Sequence, residues 1–433
     1  MGTRWIGRAA LAAVVASGLT APAAWASPGS PVTASVTLGD SYISGEAGRW
    51  QGNSNALLGS RSGTDRAWVR TWFGGFHDAD RVYVAGTDDN GCHRSDVAEV
   101  ASASIPVQEE LNLSCSGAST ANIFRAAAGG LSRNGEPPQA DQLAGVARAR
   151  DVRLVVLSIG GNDLGFGDMI AACATAWTTS TSTFPRYCRE EQQALVARRL
   201  PRALTDVGRA LDEIRAVMAE AGYGPAQYRL VLQSYPSPVP RGAENRYGET
   251  GPSRLTVGGC PFWNRDLDWA RDVLVPQLAD GLRTVAAAKE ATFLDLRDLL
   301  QGREACARTA QLASSAAPPS ETRSEWARFL TSGLGQGEIQ ESFHPNAYAQ
   351  RALGRCLTLL AAGTGDAACT TTMGQGTGSA ALAPLPGGAP TATAARRRAR
   401  AAFERLRRRA AGVPSHRSSW PPRLPDRRPR VSP

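Results

Sequence analysis

Lysine is nearly missing from this chain: Lys289 is the single one among 48 basic side chains, and the other 47 are arginines. A bias that complete follows the coding composition, so the net charge of +9 is poor ground for a polyanion partner. The charge is also localised. Thr391 to Pro433 carries thirteen Arg against Glu404 and Asp426, a balance of +11, and Arg4 with Arg8 adds +2, so the remainder of the +9 chain stands at −4. A nucleic-acid binder would carry its charge on a folded face, and no such partner is expected. Long apolar runs are absent, which excludes a membrane span of ordinary length. No Cys-x-x-Cys spacing occurs among the eight cysteines, which argues against a metal cage. Asp88-Asp89-Asn90-Gly91 lacks the alternating ligands and closing Glu of a calcium loop, and no glycine-rich phosphate loop of the expected form appears. Neither a metal nor a cofactor is expected. Histidine is scarce, four in all, so candidates for a general base are few.

What is present begins with Arg4 and Arg8, the apolar stretch Ala9 to Val15, and Ala24-Trp25-Ala26 ahead of Ser27. That is the pattern of a secretory signal peptide over residues 1–26, and it implies a secreted, extracellular protein. In an oxidising compartment eight cysteines imply disulfides. Nearest-neighbour pairing joins Cys92 to Cys115, Cys173 to Cys188, Cys260 to Cys306 and Cys356 to Cys369, one of 105 connectivities.

Residues 27–372 suffice for one large α/β domain, expected to be monomeric. Five short, apolar, branched stretches read as strands: 32–38, 81–85, 153–159, 228–233 and 291–296. Helical patterns lie between them. Leu204, Val207, Leu211, Ile214 and Met218 line one face after Pro201, and 264–288 and 347–360 are further helices. The alternation predicts a doubly wound, mostly parallel, flavodoxin-like sheet of about five strands. Residues 373–433, rich in Gly, Pro and Arg, are expected to be disordered, although Arg396 to Arg409 permits a helix with Phe403 and Leu406 on one face. A transient contact of this segment with a membrane or lipid surface stays open.

The chemistry lies in three segments. Leu38-Gly39-Asp40-Ser41-Tyr42 follows the first strand, Gly160-Gly161-Asn162-Asp163 follows the third, and Glu341-Ser342-Phe343-His344-Pro345 comes late. A serine hydroxyl must lose its proton as it attacks, so it needs a base such as His344. The oxyanion that forms needs fixed donors such as the Asn162 amide. Ile43 stands where a Gly-x-Ser-x-Gly elbow would end, which argues against the ordinary α/β-hydrolase fold. His77 and His93 have no matching context and are expected to be structural or exposed.

Taken in order, these segments resemble the SGNH (GDSL) hydrolases, and among them the secreted actinobacterial lipases and esterases, over Val32 to Leu360. The resemblance implies Ser41 as nucleophile and His344 as general base. It also implies the Ser41 and Gly117 N–H groups and the Asn162 side chain as the oxyanion hole. The family's acidic residue three places before the histidine is Glu341 here, the expected orienting group, with the Ser342 carbonyl as the alternative. The implied reaction is hydrolysis of a carboxylic ester, a lipid acyl ester first. Phospholipid hydrolysis and carbohydrate O-deacetylation are alternatives, and a catalytically silent binding module is the reading of a different class. Trp50, Trp68, Trp72, Trp263 and Trp269 are candidates for an acyl groove or a sugar-stacking surface, or for plain packing.

Overall fold

The computed structural model describes residues 31–84, 86–331, 336–385 and 392–410. The expected signal peptide and the tail beyond residue 410 lie outside them.

Nine strands occur among these residues: β1 (Thr33–Gly39), β2 (Trp68–Thr71), β3 (Gly74–His77), β4 (Glu109–Asn112), β5 (Asp151–Ser158), β6 (Arg229–Gln233), β7 (Thr292–Asp295), β8 (Ala367–Thr370) and β9 (Ala381–Ala383). Seven of them form one sheet in the order β4-β1-β5-β6-β7-β8-β9, and β2 pairs with β3 in a separate antiparallel hairpin. Within the sheet only β8 and β9 pair antiparallel. Setting the hairpin aside, the first five strands run 2-1-3-4-5, the flavodoxin-like order.

Successive side chains on a strand point to opposite faces, and the core divides accordingly. Val36, Leu38, Val155, Leu157, Leu230, Leu232 and Phe293 share one core with the helices Gln139–Ala149, Arg189–Glu220 and Val275–Ala288. Leu154, Val156, Val231 and Leu294 face the other side, toward the helix Ala347–Ala362 and the buried rings of Trp326 and Phe343. Helices thus cover both faces, as the alternation predicted.

Three expectations are corrected. The sheet has seven strands where about five were expected, because β4 and β9 at its two edges and the short β8 beside β9 carry no long apolar run. Of the expected strand 81–85, the described residues 81–84 form no strand: Val82 and Tyr83 are buried in a small cluster with Ala67, and Tyr83 makes one isolated bridge to Ser95. The segment after residue 372, expected to be disordered, is structured where described. There β9 extends the sheet, and the helix Ala392–Ala410 packs on the helices 189–220 and 275–288. Phe403 is buried against Gly208, where a Cβ would stand 2.3 Å from its ring, and Arg400 pairs with Glu290 at 2.7 Å.

The cysteines form four bridges, Cys92–Cys115, Cys173–Cys188, Cys260–Cys306 and Cys356–Cys369.

Candidate active site

In an open α/β sheet, sites form beyond the carboxyl ends of the strands, where the strand order reverses. Here that point lies between β1 and β5, and it is where Ser41 and Asn162 stand. β1 ends at Gly39 with φ +141°, and a Cβ there would lie 2.0 Å from the Ser158 carbonyl oxygen of β5. Only glycine fits that approach. The buried Gln139 side chain clamps the same residue, accepting from Gly39 N at 2.7 Å and donating to Gly39 O at 2.8 Å. The chain then turns into a one-turn helix, Ser41–Ser44, capped by Asp40, whose Oδ1 accepts from Tyr42 N at 3.1 Å. Ser41 is the first helical residue, so its own N–H has no intrahelical acceptor.

His344 meets this hydroxyl: Nε2 lies 2.6 Å from Ser41 Oγ. Nδ1 lies 3.1 Å from the Ser342 carbonyl oxygen, an acceptor only, which assigns the proton to Nδ1 and the free lone pair to Nε2. Phe343 is held in the left-handed region at φ +60°, a conformation costing about 1–3 kcal/mol. Its ring is buried against Phe262, its carbonyl accepts from Tyr42 OH at 2.9 Å, and its N–H donates to Arg328 O at 2.8 Å. Burial lowers the pKa of His344, while the Glu46 charge and the Ser342 carbonyl work against that shift. A neutral imidazole is the form a base requires.

Glu341 does not serve His344, which corrects the first expectation for the orienting group. It is the last residue of the 3-10 turn Ile339–Glu341, and its Oε2 reaches back to accept from Glu338 N at 2.8 Å. Oε1 accepts from Tyr83 OH at 3.1 Å. The carboxylate is thus committed to local capping and to the buried tyrosine, and the Ser342 carbonyl takes the place at Nδ1.

Gly117 and Asn162 face the same cavity as Ser41 and His344. Gly117, at φ +70°, lies in a tight turn closed by Ala118 N donating to Cys115 O at 3.1 Å. A 3-10 turn, Thr120–Asn122, follows it. Cys92–Cys115 ties the turn down, and Ser116 N donates to Cys92 O at 3.1 Å. The Asn162 amide donates to Ala118 O at 2.8 Å, which fixes its plane and leaves its second N–H for the cavity. Asp163 links the two segments by accepting from Thr120 N at 3.1 Å and Thr120 Oγ1 at 2.5 Å.

Two supports were not foreseen from sequence. Tyr235, in the loop after β6, donates to Asp40 Oδ2 at 2.6 Å and accepts from Gly161 N at 3.1 Å, so one hydroxyl joins the ends of β1, β5 and β6. Burial pushes the Asp40 carboxyl up to about 7, against the lowering effect of the Tyr235 bond. Glu46, whose N–H donates to Ser41 O at 3.2 Å, is fully buried and pairs with His93 Nδ1 at 2.8 Å. His93 is therefore a buried structural histidine, and His77 lies 2.7 Å from Asp65 on the hairpin. Among the described residues no three His, Cys, Asp or Glu side chains gather as a metal cage.

The cavity holds about 480 Å³, within the size of small-molecule sites. From Ser41 it runs along an apolar wall that includes Phe166, Met169, Ile170, Trp269, Leu274 and Val275. Part of that wall, Ala270–Leu274, is a π-helical segment, a distortion frequent at functional sites. Of the candidate tryptophans Trp269 alone lines it. Trp50 and Trp263 are buried elsewhere, Trp68 meets the His77 ring edge-on, and Trp72 is 93 % exposed.

Several solved structures are similar to this chain. The extracellular lipase of Streptomyces rimosus is 22 % identical, with 76 % of this chain and 98 % of that one covered and a TM-score of 0.41. For phospholipase A1 of Streptomyces albidoflavus NA297 the identity is 20 %, the coverage 76 % and 98 %, and the TM-score 0.44. The carbohydrate acetylesterase Est24 of Sinorhizobium meliloti is 10 % identical, with coverage of 75 % and 96 % and a TM-score of 0.30. No curated protein matches the sequence significantly. The family model of the GDSL-like lipases and acylhydrolases matches residues 37–352, which include Ser41, Gly117, Asn162 and His344. The chain belongs to the GDSL-like lipase/acylhydrolase family.

Proposed function

We propose that this is an exported serine hydrolase that cleaves carboxylic esters with a lipid-like acyl chain. The observation that carries this reading is the 2.6 Å contact of Ser41 Oγ with His344 Nε2 in a cavity with an apolar wall. His344 takes the Ser41 proton as Oγ attacks the ester carbonyl. The N–H groups of Ser41 and Gly117 and the second Asn162 amide hydrogen receive the oxyanion. As the intermediate collapses, His344 protonates the departing alcohol, and the same nitrogen then draws a proton from the water that releases the acid. No step calls for a cofactor. Export accords with four disulfides and with the leader pattern of residues 1–26.

An apolar wall suits an acyl chain better than a sugar, since a glycan needs polar partners along its length. Phospholipid remains within this reading, because its acyl chain would occupy the same wall. The test is acid release from short and long p-nitrophenyl esters, phosphatidylcholine and acetylated xylan, with Ser41→Ala as control. Release that prefers long acyl chains and disappears in the variant is expected. Preference for acetylated xylan would assign a deacetylase, and no release from any substrate would reject the reading.

A further inference from the structure

We propose that the hairpin β2–β3 docks the protein onto a lipid surface, with Trp72 and Phe73 entering the acyl–headgroup boundary. The idea rests on the lipid-ester reading above. Antiparallel pairing of Thr71 with Gly74 leaves Trp72 and Phe73 as the two residues of the turn. Such turns favour Asn, Asp and Gly, and here they hold two large apolar side chains. Trp72 is 93 % and Phe73 97 % exposed, and Phe76 beside them is 53 % exposed. On the neighbouring loop Leu57 and Leu58 are exposed as well. Neither Gln51–Ser60 nor Thr71–Phe76 contains a charged residue.

These segments adjoin one another and the cavity. Gly59 lies against the Trp68 ring at the hairpin base, its Cβ position 4.0 Å from Cζ2. Gln336 Nε2 donates to Ala56 O at 3.4 Å, and three residues on, Ile339 lines the cavity while half exposed. A chain of contacts thus leads from the hairpin base through the loop 51–60 to the rim of the cavity.

The chemistry selects lipid over other occupants. A Trp–Phe tip suits a boundary that is apolar on one side and wet on the other. A glycan surface would call for amide or charged partners beside the ring, and Thr71–Phe76 has none. A second copy of the chain would need about 800 Å² per partner, and the two tip side chains offer roughly half of that.

The test uses the full chain carrying Ser41→Ala, so that lipid is not consumed, and flotation with phosphatidylcholine vesicles. Trp72→Ala with Phe73→Ala should lower vesicle partitioning at least about tenfold, while the swap Trp72→Phe with Phe73→Trp should retain it. On the Ser41 background the double alanine variant should hydrolyse monomeric p-nitrophenyl acetate at the unaltered rate. Because binding is read without turnover, a failure of the hydrolase reading and a failure of the docking idea give separate signals. No vesicle binding by the parent, or equal binding by the double alanine variant, would overturn the proposal. Loss of self-association or of xylan binding in that variant with vesicle binding intact would overturn it too.

Discussion

Replacing Glu341 by Gln separates two accounts of how His344 is held. In a Ser-His-acid triad, removing the charge of the orienting acid costs about 10⁴-fold in kcat, roughly 5 kcal/mol of activation free energy. Here Nδ1 faces the Ser342 carbonyl at 3.1 Å, and the Glu341 oxygens are committed to Glu338 N and Tyr83 OH. Glutamine is nearly isosteric, but its amide group can accept at one atom only. Its oxygen can keep Glu338 N and its NH2 can donate to Tyr83 OH, whose hydrogen goes to Glu46 O at 2.6 Å, but the negative charge facing Arg49 and the buried Arg328 is lost, at a cost in stability. The expected variant therefore has a lower melting temperature and a kcat within about tenfold of the parent, a difference under roughly 1.4 kcal/mol. The assay is p-nitrophenyl butyrate hydrolysis at pH 8 below the melting transition, beside thermal unfolding of both proteins. A folded variant that loses 10³-fold or more in kcat would refute the assignment of the carbonyl.

Three further outcomes follow from the same geometry. Asn162→Ala removes one proposed oxyanion donor and should lower kcat on the order of 10² to 10³-fold, read under saturating substrate. Because burial lowers the pKa of His344 and the neutral ring is the base, kcat/KM should rise with pH along a limb centred below the ordinary histidine value of 6.5. A limb centred above it would contradict the buried imidazole. Burial acts to lower the pKa of His93, yet the Glu46 carboxylate overrides this and raises it to about 9. A raised pKa stabilises the fold below the unfolded value of 6.5 and loses that contribution as pH climbs through about 9, on the order of 3 kcal/mol in all. Urea unfolding between pH 6.5 and 9.5 should show this decline in the parent, and His93→Gln should lack it.

Legibility in the sequence followed burial. β1, β5, β6 and β7 are flanked on both faces, so their apolar runs announce them. β4 reads Glu109-Glu110-Leu111-Asn112 and lies at the sheet edge, where polar residues are tolerated and no run appears. Residues 81–85 have a strand's composition, but Val82 and Tyr83 are buried under a loop instead of in the sheet. Ser41, Asn162 and His344 were legible because their segments follow strand ends or use a scarce residue type. The role of Glu341 was not, since the direction of its side chain depends on the 3-10 turn that ends with it. Tyr235 and Gln139 were invisible for a related reason: each acts on residues about a hundred or more positions away, and no local pattern marks them. Phe403 shows the opposite case, since its helical spacing was visible while the notch at Gly208 that receives it was not.

We propose Ser41 as a nucleophile activated by His344. Diethyl p-nitrophenyl phosphate tests it directly, because a serine hydroxyl activated in this way displaces p-nitrophenolate and keeps the diethylphosphoryl group. One equivalent of p-nitrophenolate, with the mass increment mapped to the peptide containing Ser41 and neither seen in His344→Ala, is the predicted result. A label at another residue, or labelling of Ser41 at an undiminished rate in His344→Ala, would contradict the claim.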